Sequence, residues 1–591
     1  MIASTAVYLV ALSLTALTTP ADVTFTAPDS AVSCYDFLEV VVNVSPPTSQ
    51  DPFTQVPVGG TFGRDGEGPI RVEGFCDSAD GSLYRIRFMP AEVGRYHYSV
   101  CYRDGAIETT HEGSFEARRT ERRGLVRIDS ESPWHFRWEG TGEPYFWLGN
   151  SATWLAGGDD TAIAETIGRL YQSKFSNVRV ALCGGVASQG ATDGETPAVE
   201  SVSRSGGSPY PWVVDVADGV AAPHFDKTRF DTRYWQRFER MLRQAREKDM
   251  IVSVAFLVKD AHGGIDPFGK EGAGGEDEQR YYRYAVARLG AFSNVIWILA
   301  DEYPSLRTGE WVEKMGAFLK ACDPYDHLTS VVCAGDFPFR SSSWVDFALT
   351  RGSDDKGGWE LIQTSRDAQL KAGRTLPQVR EECAVANPTS EGADRDASLW
   401  AGGRRRLAWE IYLAGGWQIT AEGADRGADR GAEGGTDPAV SSEADVGEIG
   451  EDAEDASADA TVPQPHSVVY DFFTSIPFRK LRAGGDLIVT AELAATPTPS
   501  SATAGAVRAA RSDEGDLAVI YLPRGGVVTV KSGLLRPDVK PMWFNPRDGT
   551  IERVHATAPN TYETPDGGDW VLLFRTGCNC SLGIYEEASG Y

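Results

Sequence analysis

The sequence is short of positive charge, of histidine and of cysteine, and each shortage removes a class of function. Against 84 Asp and Glu stand only 57 Lys and Arg, which leaves a net charge of −27. Nucleic-acid binding requires clustered cations on phosphates, so that partner is excluded. Polyanionic ligands are disfavoured unless a local basic cleft overrides the global field. Eight His and nine Cys over 591 residues form no cluster at metal-ligand spacing. No glycine-rich loop follows a strand at dinucleotide or phosphate-loop spacing. No metal and no cofactor are therefore expected. No segment reaches 18 uninterrupted apolar residues, and a membrane-spanning helix takes about 20.

The one notable apolar run is at the N-terminus, from Ala6 to Leu17, followed by Thr19-Pro20-Ala21. Its length fits a secretory signal core, although no basic residue precedes it. Residues 1–21 are accordingly expected to be a signal peptide, and the mature chain to be soluble and secreted or periplasmic. Exported proteins can keep disulfides. Cys76 and Cys101, in neighbouring strand-like runs, are the expected pair. Cys578-Asn579-Cys580 is too isolated for zinc, and the odd count leaves at least one free thiol.

The rest of the chain is globular in composition, with 41% hydrophobic residues. From 22 to 120 it reads as all-β. Tyr84 to Met89 alternates, Pro90-Ala91-Glu92-Val93-Gly94 turns, and Arg95 to Val100 alternates again. A β-sandwich is expected there. From about 125 strands alternate with helices. Buried-strand runs are expected at Tyr145–Gly149, Ser176–Leu182, Ile251–Leu257, Val295–Ala300, Thr329–Ala334, Val345–Leu349, Gln378–Glu382 and Trp417–Thr420. Eight such units predict a (β/α)8 TIM barrel over 125–485. An insertion at 421–463 interrupts it. Between 421 and 461, 13 acidic residues face 2 Arg, so about −11 of the net charge lies there. Such a composition reads as disordered. Residues 486–591 read as a second β-domain, opened by Ala518-Val519-Ile520-Tyr521-Leu522-Pro523.

Three groups of motifs carry a family resemblance. Gly74-Phe75-Cys76-Asp77, Tyr84 to Pro90 and Gly94-Arg95-Tyr96-His97-Tyr98 resemble an N-terminal β-sandwich of unknown function that precedes certain exported bacterial glycoside hydrolase barrels. Pro144 to Asn150 and Asn294 to Glu302 resemble the first and fourth strands of apiosidase-like and family 5-like barrels. Met542-Trp543-Phe544-Asn545-Pro546 and Gly568 to Leu573 resemble a C-terminal β-domain of the collagen-binding type found in that group. Their order implies a secreted glycoside hydrolase acting on a polysaccharide or oligosaccharide, with no further partner identified.

In such a barrel the chemistry sits at the C-terminal strand ends. Glu302 follows the fourth strand and Glu382 ends the seventh. Glycosidic cleavage takes two carboxyl groups, one to protonate the leaving oxygen and one to attack C1 or activate water. The resemblance implies the acid/base after strand four and the nucleophile after strand seven, and both positions are filled. Glu381 also ends the seventh strand. If Val379 packs outward, strand alternation aims Glu382 into the mouth and Glu381 away from it. Asp301 departs from the family 5-like pattern, which has Asn there contacting the sugar 2-hydroxyl. The resemblance also gives Arg179, ending the second strand, the task of holding the nucleophile ionised. Asn150 and Trp154 are expected to line the pocket, Trp417 to stack a sugar ring, and Tyr303 to adjoin the acid. His262 and Asp336 read as loop residues. The competing reading is a non-catalytic glycan-binding or adhesion protein on a vestigial barrel, motivated by Asp301 and the flanking modules.

Overall fold

The computed structural model of the chain describes residues 21–27, 31–105, 107–183, 208–215, 224–258, 266–352, 357–382, 397–420, 465–494 and 505–576, with backbone alone at 215, 382, 397–402 and 465. The expected signal peptide, the acidic insertion, His262, Cys383, Cys578 and Cys580 lie outside the described residues.

The central domain is a parallel barrel with helices outside. Its strands are Leu148–Ser151, Asn177–Ala181, Ile251–Leu257, Val295–Ala300, the broken pair Thr329–Ser330 and Val332–Ala334, then Ala348–Gly352, Gln378–Glu382 and Trp417–Thr420. The break at Val331 closes the ring. Thr329–Ser330 pairs with the fourth strand, and Val332–Ala334 pairs with the sixth. The first and eighth strands pair directly.

Helix formation follows from the sequence locally. Thr232–Arg246 buries Trp235, Phe238, Met241, Leu242 and Ala245 at helical spacing, while Asp231 accepts from the Arg233 and Tyr234 amides as the N-cap.

Two strands differ in position from the sequence reading. The first begins at Leu148, not Tyr145. Pro144–Tyr145 instead joins Val126–Ile128 and Phe136–Trp138 in a small antiparallel sheet. Phe136 from that sheet packs on Trp147, Phe347 and Trp417 and fills the barrel's N-terminal end. The sixth strand runs Ala348–Gly352 and not 345–349. Val345 and Phe347 are buried before it begins, and a buried apolar run by itself does not mark where pairing starts.

Residues 22–118 form two facing sheets of four and five strands around Val40, Val42, Phe62, Tyr84, Ile86, Val100 and Tyr102. The C-terminal domain has sheets of six and four strands around Leu487, Ile520, Leu522, Trp543, Trp570 and Leu572. Trp409 of the barrel stacks on its Tyr521 at 5.7 Å, and Arg405 pairs with its Asp569. Among the described residues no helix is long and apolar enough to cross a membrane.

The expected Cys76–Cys101 disulfide is corrected: both are free thiols. They sit in opposite sheets, Cys76 beside Tyr84 and Cys101 beside Gly59. Cys76 is buried, whereas Cys101 lies on the outward face of its strand with Ser99 and Arg103. Burial also pushes the Cys76 thiol up to about 12. Under native conditions a maleimide is expected to label Cys101 and spare Cys76, with mass spectrometry of tryptic peptides as the readout. A Cys76–Cys101 peptide in the unreduced digest would contradict this.

Candidate active site

The inner face of the barrel becomes polar toward its C-terminal end. On the second strand Asn177 and Arg179 share that face. Asn177 bonds Ser253 of the third strand at 3.0 Å, and Arg179 lies one layer above. The Arg179 guanidinium reaches Ser151 Oγ on the first strand (3.2 Å), Asp301 after the fourth (3.2 Å) and Glu381 on the seventh (2.6 Å). Arg351, from the sixth strand, completes the cluster. Its Nη2 meets Asp301 at 2.8 Å and Glu381 at 2.9 Å, and its Nη1 meets Glu302 at 3.0 Å. Two guanidiniums thus hold three carboxylates drawn from opposite walls of one barrel mouth.

Access is graded across the cluster. The side chains of Glu381, Arg179 and Asp301 are 2%, 4% and 8% exposed, Arg351 is 17% and Glu302 34%. Glu302 is the member that meets solvent. It adopts φ +46°, a left-handed conformation uncommon for a non-glycine residue. Strand alternation ends with the strand at Ala300, and this turn brings Glu302 back over the cluster beside Asp301. Strain of this sort collects at functional sites because surrounding contacts must enforce it.

The structure corrects the reading of Glu381. It was expected to point away from the mouth, and it points in. The Ser365 hydroxyl, on the surrounding helix Gly358–Lys371, donates to Gln378 Oε1. Gln378 therefore faces the helix layer, and Val379 and Glu381 face the interior. Val379 does not mark the helix side. A parallel barrel strand is buried on both faces, so an apolar residue fits either. The side chain of Glu382 lies outside the described residues.

Glu381 is asymmetrically bound. Its Oε1 accepts from Ser151 at 3.1 Å and faces both arginines. Its buried Oε2 has no hydrogen-bond partner among the described residues. Burial pushes the Glu381 carboxyl above the usual range, and the Asp301 charge adds to this, while Arg179 and Arg351 oppose it. Asp301 is buried too, yet the same two arginines hold it below its ordinary value.

The other expected residues divide. Arg179 and Asp301 are in the cluster. Asn150 is buried, and its amide donates to Thr420 Oγ1 at 2.9 Å on the eighth strand. Trp154 is half-buried just beyond the first strand. Tyr303 packs its ring on Phe339 at 5.3 Å, in the loop after the fifth strand. Trp417 is corrected: it starts the eighth strand at the far end of the barrel. There it is buried against Phe136, Phe146 and Phe478, and its indole N–H donates to Trp134 O at 3.1 Å. It fills the core and cannot stack a sugar in the mouth. Asp336 is exposed and pairs with Arg340 in the same loop. A cleft of about 980 Å³ lies at the far end, against Tyr145, Phe146 and Tyr470, and no member of the cluster lines it.

Sequence reasoning missed Ser151 and Arg351. Both end their true strands. Each lay beyond the strand end expected from the apolar runs. Among the described residues no group of three His, Cys, Asp or Glu is arranged to hold a metal ion.

Comparison with known proteins agrees with this architecture. Residues 31–103 match a domain of unknown function (DUF5060), residues 135–420 an apiosidase-like catalytic domain, and residues 498–575 a model described as "Putative collagen-binding domain of a collagenase". No curated protein matches the sequence. A crystal structure of a "putative glycoside hydrolase" from Bacteroides vulgatus ATCC 8482 superposes with a TM-score of 0.64 at 17% identity, covering 93% of this chain and all of that one. A glycoside hydrolase family 5 protein from the same organism gives 0.52 at 14% identity, covering 77% and 93%. The barrel thus matches an apiosidase-like catalytic-domain model and shares its fold with solved glycoside hydrolases, between the flanking modules implied by the sequence.

Proposed function

We propose that the chain hydrolyses O-glycosidic bonds of a polysaccharide or oligosaccharide by a retaining mechanism, with Glu302 as acid/base and Glu381 as nucleophile. One observation carries the reading. Glu381 has one oxygen clamped by Ser151 and the two arginines and the other without a hydrogen-bond partner among the described residues, while Glu302 stands across Arg351 from it with access to solvent.

In the first step Glu302 gives its proton to the glycosidic oxygen, and that bond to C1 breaks. Glu381 Oε2 bonds to C1 and forms a glycosyl ester. Glu302, now a carboxylate, takes a proton from water, whose oxygen attacks C1 and releases Glu381. Arg179 and Arg351 favour the ionised nucleophile by opposite charge. Secretion by an N-terminal signal is part of the same proposal, and it fits the apolar run at residues 6–17.

Reducing-sugar release over a panel of plant and algal polysaccharides tests the reading. Wild type should release sugar from at least one. Glu302→Gln should lose about 10²–10⁴-fold on natural linkages, but far less on an aryl glycoside of the same sugar, whose leaving group needs no acid. Binding of a glycan with no turnover by wild type would favour the adhesion reading instead.

A further inference from the structure

We infer that Asp301 is a positioning residue for Glu381, acting through the two guanidiniums that both carboxylates share. The inference rests on Glu381 as the seventh-strand carboxylate of the site.

Among the described residues, the groups facing Glu381 come from four strands. Ser151 is on the first, Arg179 on the second, Asp301 follows the fourth, and Arg351 is on the sixth. Among the described residues, Glu302 reaches the cluster through Arg351 Nη1. On the eighth strand the residue paired with Glu381 is the apolar Ile419. On its own strand, Arg380 donates to Gly352 O at 3.4 Å. Asp301 and Glu381 with Arg179 and Arg351 therefore form a buried quartet, two charges of each sign.

An amide at 301 would leave this quartet with one surplus positive charge beside Glu381. The carboxylate cancels it. Asp301 consequently takes a share of each arginine and weakens their hold on the ionised form of Glu381. The directions agree: the arginines hold Asp301 low, whereas burial and the Asp301 charge keep Glu381 high. Like charges on one site divide their proton affinities in this manner. Asp301 thus sets the pH at which the nucleophile ionises, and Arg351 works in the opposite sense.

The test needs no substrate, so its failure is separable from failure of the glycosidase reading. The full chain, labelled with 13C at glutamate Cδ, is titrated by NMR, and the Glu381 signal is assigned by its loss in Glu381→Gln. Asp301→Asn should move the Glu381 midpoint to lower pH, and Arg351→Gln should move it to higher pH. Once a substrate is found, the acidic limb of kcat/KM should move in the same directions. A purely structural role would lower kcat without moving the limb. An unmoved or raised midpoint in folded Asp301→Asn overturns the inference. If that variant does not fold, a lowered or unmoved midpoint in Arg351→Gln does so.

Discussion

Glu381→Gln is expected to lower kcat by ~10⁴-fold or more, the scale of loss when a covalent nucleophile is removed, while Glu382→Gln keeps most of the activity. Glu381 faces the interior, because Gln378 on the same strand faces Ser365 of the helix layer. Its Oε1 is fixed by three donors, and its Oε2 has no hydrogen-bond partner among the described residues. A nucleophile so held loses little orientational freedom at attack. Arg179 touches Glu381 at 2.6 Å, and its positive charge favours the ionised carboxylate. Trapping with a fluorosugar followed by peptide mass spectrometry should place the label on Glu381. A label on Glu382, or loss of turnover in Glu382→Gln with activity preserved in Glu381→Gln, reverses the assignment.

How far the sequence disclosed this site depended on what marked each strand end. The seventh and eighth strands were legible to the residue, since Pro377 precedes one and Gly415-Gly416 the other. The first and sixth were not. Each is preceded by buried apolar side chains, Phe146 and Trp147 in one case and Trp344, Val345 and Phe347 in the other, which look like strand and serve as packing at the barrel's N-terminal end. Ser151 and Arg351 were lost with the three-residue shifts. Glu302 and Asp301 were legible because a long apolar strand stops directly before them. Their joint contact with Arg351 was not, since it depends on a left-handed φ at Glu302 that no local pattern required. Glu381 shows a different limit: alternation gives two faces, and it takes tertiary contacts, of Gln378 with a helix and of Glu381 across the mouth, to tell which is inside.

The barrel also leans on its N-terminal neighbour through a buried charge network, and Arg288→Met should show how much. Arg288 lies on helix Glu276–Leu289 with its side chain 0% exposed. It meets Asp77 of the sandwich at 2.6 Å and Glu239 of the barrel at 2.5 Å, and packs on the Phe75 ring at 4.7 Å. Arg87 of the sandwich returns the contact, reaching Glu239 at 2.8 Å and donating to Arg288 O at 2.7 Å. Met fills much of the arginine's volume but leaves Asp77 and Glu239 short of a cation. Removing one partner of a buried ion pair costs about 3–5 kcal/mol, because the remaining charges stay desolvated. The pH dependence distinguishes this from lost packing. Asp77 and Glu239 are buried, yet both are held below the usual carboxylate range, Asp77 by Arg288 and Arg85 and Glu239 by Arg87 and Arg288. Their folded-state affinity for protons is lowered, so in wild type they stabilise above the ordinary carboxylate values, and this is lost as pH falls through the lowered ones. In Arg288→Met both carboxyls rise. The deficit measured by denaturant unfolding should therefore be largest near pH 7 and shrink toward pH 4, as the stranded acids bind protons. Adding Asp77→Asn and Glu239→Gln to Arg288→Met should recover part of the loss at neutral pH. A deficit equal at both pH values, with no recovery in the triple variant, would make Arg288 a packing residue that acts through its contact with Phe75.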